Sequence, residues 1–569
     1  MSKIVLDQFG GIAPAVNPRK LADQIGQEAN NVYLKHRTLA PYPDTTVSAV
    51  TGFAATATWA YLYESNATTT SFITTIGGIA HYAKPPIAND TKYRLVNTSS
   101  IFYPRIYGDD GVGGSDIYRL GIPAPAAPSV TSFTAPGSPN DIDAETIVYV
   151  VTLVDAWGAE GPPSPPTTLT DREIDTDVTL TLPAVPTPAS GAYNFGTGAL
   201  FRLYRSNAGT ESTAYQFTKE FPIADAQATV TDDTVNALLG EVIPTTDWIG
   251  PPDDDTTLYP DGPMLGICNL PNGVMAGFSG TQVCLSEPFA YHAWPGAYRI
   301  SVPDEIVGIT AIAQGLVVAT KRKPYLLTGV DPGAMTLMEL DTLQSCVSQR
   351  SLVDMGEYAI YASPDGLVLI NGTRASVITS DIFTRAQWNS DWQPEDLHAN
   401  NWEGYYIAFN QPLGKGFLFS IENGDPNFVT FDIGDVYGSY YDAYTDQLYV
   451  NGASQLTGAR VWGRNFSSFL NSNLTWQSKE FVLPRPECMT VCRVNYEKDI
   501  ATFPITVTVF GDGVQITQQV IQTVSNAYTN DQDWFRLPES GRHRTYSVKI
   551  STANEVSRIT LASSMQELT

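Results

Sequence analysis

Between residues 264 and 462 the chain is written in short apolar runs that come in pairs, each pair split by a glycine-containing turn, with new blocks starting roughly every 40–50 residues. Residues 264–270 precede partner runs at 273–278 and 282–285, and 306–312 precede 316–320 and 325–328. Further pairs are 358–362 with 367–370, 405–409 with 416–419, and 442–450 with 459–462. Runs this short, rich in β-branched and aromatic residues and closed by turns, are strands rather than helices. Their spacing matches one four-stranded propeller blade. The 45 Gly, 39 Pro, 29 Tyr and 23 Phe of the whole chain extend the same reading to the rest of it, so the expected class is all-β.

A chain of 569 residues exceeds the roughly 250–300 residues at which a single hydrophobic core stops growing. The first forty residues read as an irregular arm, with Gly10, Gly11 and Pro14 followed by a polar segment at 21–31 that leads into Val32, Tyr33 and Leu34. Strand-like blocks follow at 58–63, 71–79 and 93–96. Residues 108–116 form a Gly/Asp loop without the residue order of an EF-hand, which makes it a turn rather than a calcium site. Five prolines between 123 and 139 mark a domain entry. After them, strands at 147–154, 178–182, 201–204, 215–217 and 228–230 predict a small β-sandwich, interrupted by a stiff proline loop at 155–166. The last ninety residues alternate with period two, and Asp512-Gly513 predicts a hairpin. The expected division is an arm with the first propeller strands at 1–125, an inserted fibronectin-III- or Ig-like sandwich at 126–248, propeller blades at 249–475, and a C-terminal β-domain at 476–569.

Thirty-three basic against 59 acidic residues give a net charge of −26, which opposes gripping a phosphate backbone and would keep a passing polyanion mobile. No run of 18 apolar residues and no charged-then-apolar leader is present, so neither a membrane span nor a secretory route is expected. The five cysteines are too few and scattered for a disulfide framework, and Cys488 and Cys492 read as small buried apolar residues. Signatures of serine hydrolases, zinc proteases and nucleotide-binding loops are missing. His36, His81, His292, His398 and His543 lie far apart and read as turn or surface residues. Glycoside hydrolysis needs two carboxylates across a sugar. Asp253, Asp254, Asp255, Asp304, Glu305, Asp365 and Asp391 are candidates by type, with no spacing that pairs them. Ser363-Pro364-Asp365-Gly366 resembles the start of a sialidase Asp-box but lacks the following Trp, and a strand-joining turn accounts for it. Trp388, Trp392, Trp402, Tyr405 and Tyr406 could offer a carbohydrate platform, though blade-to-blade packing is the simpler use. No catalytic, cofactor-binding or metal-binding residue is assigned, and no cofactor is expected.

Several segments resemble the tail nozzle (tail tubular protein B-like) proteins of short-tailed bacteriophages. The opening with Gly10, Gly11 and Ile12, then 27–32 and 39–42, is similar to that of many phage tail and adaptor proteins. Residues 154–165 (VDAWGAEGPPSP), 202–206, Asp247 and Trp248 look like the fibronectin-III-like insertion of that family. Residues 270–273, 286–288, 292–295, 319–329, 346–351, 363–366, 485–486 and 565–568 follow the same pattern. The resemblance implies a virion structural protein, assembled in the host cytoplasm: a homo-hexameric ring below the portal and adaptor ring. Such a ring serves as conduit and gate for genome ejection, carries tail fibres or tip proteins, and lets double-stranded DNA pass without sequence-specific binding. Six copies would carry −156 formal charges, six times −26. The alternatives are a carbohydrate-binding tail adhesin and a propeller glycosidase.

Overall fold

Alternating burial sets most of the elements, as in Ile505–Gly511, where Ile505, Val507 and Val509 have no exposed surface. In the computed structural model the described residues are 3–35, 38–66, 68–109, 115–138, 143–208, 213–422, 425–452, 460–469, 473–497, 500, 502–522 and 532–568. The protein is all-β, and among these residues the single α-helix is Arg385–Trp392.

Seven β-units form a closed ring. The first is the hairpin Trp59–Asn66 with Thr69–Thr75, and the second is the sheet of Ala80–Ala83, Leu95–Ser99, Arg105–Asp109 and Ser115–Arg119. Units three to six start at Leu265–Asn269, Ile306–Ile312, Val353–Asp354 and Leu397–Trp402, and each continues outward through three antiparallel strands. The seventh starts at Val436–Asp442, and its fourth strand is Pro43–Val47 from the other end of the chain. The innermost strand of every unit touches that of the next, and the seventh touches the first, so the ring is a propeller. Sewing the last blade shut with an early strand ties together segments some 400 residues apart, as Arg460 Nε to Thr45 Oγ1 at 2.6 Å illustrates.

Between the second and third units the chain leaves the ring to form the sandwich. Ser129–Phe133, Val178–Thr181 and Thr229–Asp232 make one sheet, Tyr149–Val154, Leu200–Ala208 and Thr213–Pro222 another, and Ala144–Ile147 pairs with Thr170–Glu173. Tyr149, Val151, Leu153, Leu180, Phe201 and Leu203 fill the space between them.

The remaining body has two sheets. One contains Lys3–Leu6, Val32–Lys35, Thr38–Pro41, Val556–Ala562, Val491–Tyr496 and Gln532–Arg536. The other runs from Gly26–Asn30 through Leu474–Ser478, His543–Thr552 and Ile505–Gly511 to Val514–Ile521. The Asp512-Gly513 turn has φ of 49° and 81°, the doubly positive turn that suits a two-residue hairpin.

The N-terminal segment is therefore not an irregular arm. Ile4 and Leu6 are buried where Lys3–Leu6 pairs with Val556–Ala562, and Gly26–Asn30 pairs with both Leu474–Ser478 and the outer strand of the sixth blade. Its residues Gly-Gln-Glu-Ala-Asn have little strand propensity; pairing on both sides overrides that local preference. The helix was also not legible as such. Thr384 caps it in a capping box with Gln387, Trp388 and Trp392 share its buried face at i, i+4, and Gln393 in the left-handed region followed by Pro394 ends it. The strand expected at 93–96 lies at Leu95–Ser99.

Candidate functional site

Where the seven innermost strands converge they line a half-open cavity of about 310 Å³ on the propeller axis. Every unit contributes to its lining: Trp59, His81, Cys268, Thr310, Asp354, His398 and Ser439 come from units one to seven in order. Gln349 and Arg350 enter from the 3-10 turn Gln349–Ser351 that precedes the fifth unit.

Arg350 spans the ring. Its Nη2 donates to the carbonyls of Thr58 at 2.8 Å and Tyr437 at 2.7 Å, the one leading into the first unit and the other lying in the seventh. Its guanidinium lies 5.7 Å from the Trp59 ring centroid. Burial pulls its pKa down to about 10, and no carboxylate counters that effect. Arg350 and His81 are partly exposed and both line the cavity.

Expected as turn or surface residues, His81, His292 and His398 are instead enclosed. Burial lowers His81 and His292 to about 4, and His398 is lowered further by burial and then by the Arg350 charge. His398 stacks on Phe409 at 5.3 Å and His81 packs against Trp59 at 4.6 Å. Neither ring nitrogen of His398, nor Nδ1 of His81, nor Nε2 of Gln349 has a protein partner. His292 holds the sandwich instead, with Nε2 at 3.0 Å from the Glu160 carbonyl. His543 is half-buried beside Asp512, and His36 lies outside the described residues.

The candidate acids take structural posts. Asp253 and Asp254 grip Arg119 at 2.7 and 2.6 Å, and Asp255 caps the turn at Thr257. Asp304 accepts from Tyr325, Glu305 pairs with Lys321, and Asp391 accepts from Ser390. Asp365 accepts from Gln344 Nε2 at 2.7 Å, while Ser363 and Gly366, at φ 145°, close the turn. None of these lines the cavity; Asp354 is its one carboxylate among the described residues. Trp388, Trp392, Trp402 and Tyr406 are buried in core packing, and Tyr405 lies half-buried against Tyr33 and Trp402. Cys492 is buried and its thiol pushed up to about 12, whereas Cys488 is only half-buried. The loop once weighed for calcium falls largely on 110–114, outside the described residues. Among the described residues no group of three or more His, Cys, Asp or Glu is placed to hold a metal, and no helix is long and apolar enough to cross a membrane.

Two seams lock the three bodies together. At the first, Asp155 accepts the amides of Trp157 and Ala159 at 2.9 and 2.8 Å, and the Trp157 indole reaches from the sandwich loop to the Asp109 carbonyl at 3.1 Å. Arg94 sits between Trp157 and Tyr291, 5.8 and 5.3 Å from their ring centroids, and Trp248 meets His292 edge-on. At the second, Ile12 donates to Phe428 of the sixth blade at 2.8 Å, and Trp476 of the C-terminal body donates to Gly10 at 3.1 Å.

No protein-family profile matches the sequence, and a sequence comparison with curated proteins gives no match. Among solved structures, BBS1N in complex with ARL6DN gives a TM-score of 0.24 at 10% identity over 61% of this chain and 98% of that one. An exo-β-1,3-galactanase from Phanerochaete chrysosporium gives 0.18 at 8% identity, covering 89% and 99%. Hsv2 from Kluyvelomyces marxianus gives 0.24 at 10% identity, covering 57% and 94%. At these scores none of them bears on what this chain does.

Proposed function

We propose that the chain is a structural subunit of a short-tailed phage virion, a tail nozzle protein that forms a six-membered ring below the portal and adaptor and conducts the genome. One observation carries most of the weight. Motifs on which the resemblance rests stand at the seams: Gly10 and Ile12 join propeller to C-terminal body, and Trp157, Glu160, Trp248 and His292 join sandwich to propeller. Residues that fix the relative placement of three bodies suit a subunit whose neighbours must meet it in one geometry, as closing a head-to-tail ring requires. The net charge of −26 suits a channel wall that DNA must not adhere to.

A structural rather than catalytic role is supported by the axial cavity, where Asp354 alone among the described residues could serve as an acid and glycoside hydrolysis needs two. The test mixes purified protein with the portal and adaptor proteins of the same phage and follows mass by sedimentation. Stoichiometric addition of six copies to the adaptor ring is the expected result. A monomer that joins no ring and instead binds glycans would transfer the assignment to a tail adhesin.

A further inference from the structure

We propose that the axial cavity of the propeller is a binding site for a small oxyanion, a carboxylate or phosphate group, held on the free edge of Arg350. A guanidinium offers five N–H donors. Nη2 spends both of its hydrogens on Thr58 and Tyr437, so the three on Nε and Nη1 have no protein partner. A largely buried charge with no carboxylate bonded to it is costly, and proteins normally pair it. Asp354 lines the same cavity but forms no ion pair with Arg350; its side chain accepts from the Gly356 amide at 2.7 Å. The positive charge is therefore uncompensated within the chain.

Gln349 Nε2 and both ring nitrogens of His398 are buried without partners behind the lining and present no surface to the cavity, which leaves the Arg350 edge as its exposed cationic group. Asn400 and Ser439 bond each other at 2.6 Å and present further polar edges. At about 310 Å³ the space falls at the lower end of small-molecule sites, or would take roughly ten waters. Water alone would satisfy the donors but leave the charge unbalanced. An oxyanion does both, and it would bind at the meeting point of all seven units, where it also stiffens the ring. This site is independent of the nozzle reading.

Inorganic phosphate, glycerol 3-phosphate and glucuronate serve as probes, titrated against the full chain by calorimetry with sodium chloride of equal ionic strength as the reference. Saturable 1:1 binding of a phosphate or carboxylate probe is expected, with a matching rise in melting temperature. Gln349→Leu, which removes a donor that does not face the cavity, is the control and should leave binding unchanged. Arg350→Met should abolish it, and if that variant does not fold, Arg350→Lys, expected to weaken binding about tenfold, and an iodide soak of wild-type crystals decide. An anomalous iodide peak against Arg350 supports the site. Absence of saturable binding by every probe, only water density in the cavity, or binding unchanged in the Arg350 variants, would overturn it.

Discussion

Gly11 lies where the N-terminal segment slides under the outer strand of the sixth blade, and a Cβ placed on it would overlap the backbone of Phe428. Backbone cannot rotate away as a side chain can, so Gly11→Ala must lift the segment. Overpacking of this kind costs about 1–3 kcal/mol. Lifting also endangers the bonds from Ile12 to Phe428 at 2.8 Å and from Gly26 to Gly11 at 2.9 Å, each contributing about 1 kcal/mol. The expected loss is about 3 kcal/mol, on the order of a hundredfold in the local opening equilibrium. Gly10→Ala is the control. Its Cβ would meet the Gln24 carbonyl and the Ile25 side chain at 3.2 Å, contacts that a small shift relieves, so less than about 1 kcal/mol is expected. Native-state hydrogen exchange at the amides of Ile12 and Gly26 reads the difference. Equal protection in the two variants would refute the claim that Gly11 is required by the close approach to Phe428.

Acid should destabilise the protein below neutrality. His81 and His292 stand at about 4 when folded against about 6.5 unfolded. Their contribution is full above 6.5 and is lost as pH falls toward 4, about 3 kcal/mol each. Asp155, raised to about 6 by burial, acts oppositely, its contribution lost as pH rises from 3.9 to 6, and it offsets roughly one histidine. A melting temperature that stays flat or rises between pH 6.5 and 4 would contradict this. In the sandwich, Asp232→Asn leaves the buried Arg205 without the carboxylate charge that balances it at 2.8 Å, both side chains having no exposure. It should cost about 3–5 kcal/mol, read as earlier thermal unfolding with new protease cuts inside 126–248. Trp157→Ala should loosen the sandwich from the ring without unfolding either, seen as a larger radius of gyration in small-angle scattering.

The all-β class and most strands were legible because burial alternates with the pleat. The innermost blade strands begin at Leu265, Ile306, Val353, Leu397 and Val436, close to the spacing of the apolar blocks. What escaped was non-local. Pro43–Val47 closes the seventh blade and Gly26–Asn30 bridges two sheets only because distant strands present free edges to them. The cavity was equally hidden. Arg350 sits in the stretch 346–351, which stood out only for the family resemblance, and His81 and His398 carry no motif. Only ring closure brings residues more than 300 positions apart to one axis. The Trp388 and Trp392 pair was visible as an aromatic cluster, but its helical spacing identifies core packing and not a sugar platform.

The central claim is ring assembly, and particle imaging of the purified native protein tests it most directly. The account predicts sixfold rings with an open central channel walled by acidic residues. A population of single 61.8 kDa chains that forms no ring, alone or with the adaptor, would contradict it.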